Sequence, residues 1–179
     1  MTIHATGFAE QHARLMDEIY RGQRHFYDVT RRYFLLGRKD LIEGLAPPFG
    51  GSVLEVGCGT AWNLIAAAKH HPDAQFHGLD ISRMMLTTAA HKVAAAGFGS
   101  RIQLAEADAT SFKPEDLFGR PTFDRIFISY ALSMIPGWRD AIDRAACALS
   151  AHGELHIVDF GRGEGLPPLF QTTLHAWLA

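Results

Sequence analysis

The chain predicts an α/β fold, a mostly parallel sheet with helices on both faces, and three observations carry that expectation. Short apolar runs alternate with longer stretches of helical spacing. Proline, glycine and serine punctuate the boundaries between them. The residues able to hold a ligand collect where the apolar runs stop, at Gly57, Asp80, Asp108, Tyr130 and Asp159, as expected of open α/β sheets, which bind ligands beyond the carboxyl ends of their strands.

Taken in order after the N-terminal region, residues 52–56 read as a strand, 60–71 as a helix that Pro72 ends, and 75–79 as a second strand. A helix over 82–96 follows, with Ser82 as its N-cap and Gly97 as its stop, then a strand over 101–106 and a polar stretch. Residues 123–129 form the next strand, Pro136-Gly137 precedes a helix over 137–149, and 153–159 is the last strand. Runs such as Phe123-Asp124-Arg125-Ile126-Phe127-Ile128 suit strands covered on both faces. No repeat or low-complexity stretch interrupts the pattern.

The first strand runs into Glu55-Val56-Gly57-Cys58-Gly59-Thr60-Ala61. Glycines here let the chain turn sharply into a helix and leave bare peptide for a ligand. Asp80 ends the next strand, 23 residues beyond Gly57, where a carboxylate can accept hydrogen bonds from both hydroxyls of a ribose. A dinucleotide fingerprint would place a third glycine where Trp62 stands, which argues against a pyrophosphate cofactor and a nicotinamide dehydrogenase. S-adenosylmethionine fits better, because it has no phosphates to cradle and its cationic, amino-acid end can meet backbone and acid groups. The bland alternative is an ordinary glycine turn between strand and helix.

Val53-Leu54-Glu55-Val56-Gly57-Cys58-Gly59-Thr60 resembles the first motif of the class I S-adenosylmethionine-dependent methyltransferases, with Ala61 where that family usually has a third glycine. The resemblance implies their Rossmann-like fold and a cofactor site made of Glu55, Gly57, Cys58, Gly59, Asp80, Ile81, Asp108 and Ala109. Asp108 would accept from the adenine amine, with the Ala109 amide nearby; the other reading is that Asp108 caps the segment Thr110 to Phe118. The family also adds an antiparallel strand pair after the fifth strand. Pro167 to Ala179 reads as helix instead, so that pair is expected to be missing, through truncation of the chain rather than an early end of the sheet, and the sheet edge uncapped.

Bulk properties narrow the reading further. At 179 residues, 47% hydrophobic and 20% charged, one domain with a proper core is expected, divided into an N-terminal helical lid and substrate segment (1–46) and a cofactor-binding core (47–179). A net charge of −2 gives no reason to expect nucleic acid. Cys58 and Cys147 make no disulfide framework and are expected to be small buried fillers. The close histidine pairs, His70-His71 and His152/His156, lack suitable partners, so no metal is expected. The polar opening Met1 to Thr6 and the lack of a long apolar run predict a cytoplasmic protein.

Leu15, Ile19, Gly22, Phe26, Val29 and Tyr33 recur at three- to four-residue steps, so 8–36 reads as one or two amphipathic helices. Between Tyr20 and Asp40 six basic residues face two acidic ones, a local excess of four, which leaves the rest of the chain at about −6. Such a segment suits an anionic surface or headgroup, with peripheral contact at the inner face of the membrane, or simply a solvated helix face.

The stretch Tyr20 to Arg38, taken with the glycine motif, resembles the bacterial betaine-lipid methyltransferases, which methylate the amine of diacylglyceryl-homoserine; phospholipid N-methyltransferases are near neighbours. The resemblance spans roughly Ile19 to Asp159 and implies a lipid or amine substrate. An ammonium must lose its proton before it can be methylated, and burial favours the neutral form. His25, Tyr27, Tyr130 and Asp159 are candidates to relay that proton. Tyr27 and Tyr33 could face the cationic methyl centre, and Arg31 or Arg32 could hold a carboxylate or phosphate; core packing is the competing reading for these aromatics. A small-molecule methyltransferase and a non-catalytic S-adenosylmethionine-binding or membrane-surface module are the alternatives.

Overall fold

The computed structural model describes residues 36–160, and five parallel strands form its centre in the order β3-β2-β1-β4-β5. The strands are β1 (Ser52–Val56), β2 (Gln75–Asp80), β3 (Ile102–Glu106), β4 (Phe123–Ser129) and β5 (Leu149–Val158). Helices α1 (Arg38–Gly44), α2 (Trp62–His70), α3 (Arg83–Ala95), α4 (Pro114–Phe118) and α5 (Trp138–Cys147) connect or flank them, with a 3₁₀ turn at Leu132–Met134. Returning each crossover to a parallel neighbour requires a helix between strands, so alternation in sequence becomes layering in space.

β1 is central because every residue in it is buried, and alternate side chains serve two separate cores. Val53 faces a cluster with Ile42, Leu64, Ala67, Phe76, Val93 and Phe127, under α1, α2 and α3. Leu54 and Val56 face Leu79, Phe112, Phe123, Ile126, Ile128, Ala141 and Ala145, under α4 and α5. The small alanines of α2 and α5 let these helices lie close to the sheet.

Polar staples secure the end of the sheet opposite the glycine loop. Asp124 Oδ2 accepts from the Ser52 amide and hydroxyl, both at 2.8 Å, and Oδ1 from the Ser150 hydroxyl at 3.3 Å. Burial alone would raise the Asp124 pKa, but these bonds and the charge of Arg120 outweigh it and hold the carboxyl below its ordinary value. Arg101 donates to the carbonyls of Ala68, His71 and Ala74, at 2.7 to 3.3 Å, and so closes the C-terminus of α2. Arg125, a charge within an apolar strand, is accommodated because its guanidinium reaches the carbonyls of Leu45 and Ala46 below α1.

Several boundaries differ from expectation. β5 begins at Leu149 rather than 153 because its register against β4 slips between Phe123 and Arg125, so Phe123 pairs with Leu149 while Arg125 pairs with Glu154. Gly153 sits in that bulge, where an added Cβ would meet the Phe123 carbonyl at 2.9 Å. The polar stretch after β3 holds the short α4, and residues 38–44 form a helix of their own after Gly37 turns the chain at φ 78°. Cys58 is buried as expected, but Cys147 is exposed, because it ends α5 on the side away from Ala141 and Ala145. The expected amphipathic helices over 8–36 and the segment from 161 onward lie outside the described residues.

Candidate active site

At the carboxyl end of β1 the chain turns through left-handed conformations at Gly57 (φ 73°), Gly59 (φ 52°) and Ala61 (φ 60°) before entering α2. Gly57 has a packing reason as well as a backbone one, since a Cβ there would lie 2.6 Å from the Ala131 Cβ. The Gly57 and Cys58 amides both donate to the Leu79 carbonyl at 2.9 Å. The loop is thereby sewn to the end of β2.

Asp80 completes that seam. Its Oδ2 accepts from the Gly59 amide at 2.8 Å and its Oδ1 from the Ser82 amide at 2.9 Å. Ser82, buried, caps α3 through a 3.2 Å bond from the Met85 amide to its hydroxyl. Both oxygens thus have a backbone partner, and these bonds fix the orientation of the group at the strand end. Ile81, beside it, packs with Met84, Met85 and Met134 into a small apolar cluster.

Glu55 and Cys58 are both buried. Glu55 Oε1 accepts from Asn63 Nδ2 at 2.6 Å, which ties the end of β1 to the first turn of α2. Burial raises the Cys58 thiol well above its ordinary pKa, and the Asp80 and Glu55 carboxylates push the same way, so it is a packed thiol rather than a nucleophile. Asn63 is a residue that sequence reasoning missed. The available signal was a polar side chain on the helix face otherwise occupied by Leu64, Ala67 and Ala68.

Asp108, just past β3, uses Oδ1 to accept from both the Thr110 amide and the Thr110 hydroxyl at 2.8 Å. It therefore caps the following turn, and both bonds fall on one oxygen. Ala109 is buried in the core beneath.

Tyr130 and Asp159 follow β4 and β5. Asp159 Oδ2 accepts from the Leu132 amide at 2.8 Å and Oδ1 from the Phe160 amide at 2.7 Å, so the carboxylate organises the turn after β4. Tyr130 is buried and left-handed (φ 54°), a conformation costing about 1–2 kcal/mol for a residue with a Cβ. Its phenol donates to the Leu36 carbonyl at 2.5 Å. Burial raises that phenol above its ordinary pKa, against the pull of Arg38 and with the push of Asp159. Arg38 lies 5.0 Å over the ring of Trp62, the first residue of α2.

The structure thus gathers Glu55, Gly57, Cys58, Gly59, Asp80, Ile81, Asp108, Ala109, Tyr130 and Asp159 at the carboxyl ends of the strands. His25, Tyr27, Arg31, Arg32 and Tyr33 lie outside the described residues. Among the described residues no three of His, Cys, Asp or Glu group as a metal site, and no helix is long and apolar enough to cross a membrane.

A glycine loop stitched to an acidic strand end on a sheet of this order is the arrangement of S-adenosylmethionine-dependent methyltransferases. A family model for methyltransferase domains matches residues 53–153, and the chain belongs to that family. It is 32% identical over 92 residues to the methyltransferase ungE' of Aspergillus campestris, covering 51% of this chain and 27% of the relative. It is 33% identical over 102 residues to a demethylmenaquinone methyltransferase of Anoxybacillus flavithermus, covering 56% of this chain and 41% of the relative. The chain therefore spans less than half the length of these curated relatives. The solved S-adenosylmethionine-dependent methyltransferase of Thiobacillus denitrificans, crystallised with S-adenosyl-L-homocysteine, shares the fold at a TM-score of 0.62 and 18% identity, over 84% of this chain and 61% of that one.

Proposed function

We propose that this chain transfers methyl groups from S-adenosylmethionine to an amine on a lipid headgroup, with diacylglyceryl-homoserine as acceptor and its trimethyl form as product. The observation that carries the lipid reading is where the basic, aromatic stretch Tyr20 to Arg38 ends. Its last residues arrive at the carboxyl ends of the strands, with the Leu36 carbonyl on Tyr130 and Arg38 over Trp62. In sequence, a segment suited to an anionic headgroup thus leads directly into residues beside the glycine loop.

The cofactor supplies an activated methyl on a sulfonium, and the protein's contribution is positioning and proton removal. Asp80, held by Gly59 and Ser82, presents acceptor capacity for the ribose diol. The Asp108 oxygen not used by Thr110 suits the adenine amine, with Ala109 and Ile81 bordering the base. Arg31 or Arg32 would hold the acceptor's carboxylate, Tyr33 its cationic centre, and His25 or Tyr27 would take the ammonium proton. The lipid reading goes with a protein that works in the cytoplasm, at the inner face of the membrane.

The second reading, methylation of a quinone precursor, is favoured by the 33% identity to a demethylmenaquinone methyltransferase. The two separate in one assay, with the chain, labelled S-adenosylmethionine and anionic vesicles carrying either diacylglyceryl-homoserine or demethylmenaquinone. Stepwise gain of up to three methyl masses on the homoserine lipid is the expected result. Methylation of the quinone alone would overturn the lipid reading, and cofactor binding without transfer to either would indicate a binding module.

A further inference from the structure

We propose that Tyr130 is a positioning residue, whose phenol holds residues 36–38 in place beside the glycine loop at the carboxyl edge of the sheet.

Three features converge on this role. The Tyr130 amide donates to the Val158 carbonyl at 2.8 Å, which continues the β4–β5 ladder, while the next residue, Ala131, fills the space over Gly57. Between these two fixed points the backbone is left-handed at φ 54°, a conformation that persists only where the surrounding structure holds it. The distortion carries the side chain across 94 positions of sequence to the Leu36 carbonyl, with the ring edge on Phe160 at 4.8 Å between centroids.

The far side of the same segment is equally confined. Gly37 is left-handed at φ 78°, and a Cβ there would lie 3.3 Å from Val158 Cγ2. Leu36 is thus gripped by Tyr130, Gly37 rests on Val158, and Arg38 is set over Trp62 beside the glycine loop. A phenylalanine would give the same ring packing, so what the hydroxyl adds is the bond to Leu36. In this arrangement the phenol hydrogen is held by the Leu36 carbonyl.

The test is Tyr130→Phe, with Gly37→Ala as a second variant that displaces the same segment while leaving the Tyr130 hydroxyl in place. Hydrogen exchange at the Leu41 amide, which closes the first turn of α1 onto the Gly37 carbonyl, should quicken about tenfold in both. With an acceptor, KM should rise about tenfold while kcat stays within about twofold and its pH profile is unchanged. Unchanged exchange in Tyr130→Phe, with Gly37→Ala quickened as the control, would overturn the proposal. So would a kcat loss of about 100-fold with the loss of a limb in the pH profile, the signature of a proton-transfer role. The kinetic arm rests on the methyl-transfer reading, but exchange is read without acceptor, so failure of that reading and failure of this one are distinguishable.

Discussion

The Asp80 carboxylate accepts the Gly59 amide at 2.8 Å, so the acidic end of β2 and the glycine loop after β1 form a single unit. A residue expected to meet the ligand also shapes the surface on which the ligand lies.

Replacing Asp80 with Asn removes the charge from both roles. The amide still accepts one bond, and the cost falls on the charge-assisted contacts, about 2 kcal/mol or roughly 30-fold in affinity for S-adenosylhomocysteine. Titration calorimetry reads the loss, and an unchanged affinity would place Asp80 outside the cofactor site.

Gly57→Ala combines a left-handed backbone with a 2.6 Å clash on the Ala131 Cβ. Together these should cost about 3 kcal/mol of stability. Adding Ala131→Gly relieves the clash but leaves the backbone cost, so urea denaturation of the double variant should recover about half. Full recovery would mean that backbone conformation contributes nothing.

His77 gives the fold a pH dependence. Buried between Phe118 and Phe123, with Nδ1 3.1 Å from the Val53 carbonyl, it has its pKa lowered from 6.5 to about 4, mainly by burial. Above pH 6.5 it is neutral in both folded and unfolded chains and its contribution is flat. Below that the unfolded chain takes up the proton first, so stability falls as pH drops toward 4, by about 3 kcal/mol in total. His77→Met should abolish that part of the slope in melts across pH 4 to 7; an identical slope would assign it to other groups.

Arg101→Met keeps much of the side-chain volume but strips the three carbonyls at the end of α2 of their donor. A loss of about 3 kcal/mol in urea is expected, with cofactor affinity nearly unchanged because the residue sits at the opposite end of the sheet. A large fall in affinity with little loss of stability would contradict this.

The central strands β1 and β4 were readable because burial leaves largely apolar runs, and the capping of α3 was readable because Ser82 stands just before its first turn. The start of β5 was not, since its displaced register depends on a bulge against β4. Asp108 offered two readings, and the structure fills one of them with the Thr110 bonds. Asn63 showed in sequence only as a polar side chain on an apolar helix face, and its partner, a buried carboxylate eight residues earlier, was set by the fold.

Sequence by itself determined the layered α/β architecture and the glycine turn with its acidic strand ends. Both follow from local rules, apolar periodicity and the backbone freedom of glycine, that act within a few residues. Only the tertiary structure decided which partners the carboxylates keep and that the Tyr130 phenol closes on the Leu36 carbonyl. Such bonds join residues far apart in the chain, and they exist only once parallel pairing has brought the strand ends to a common edge.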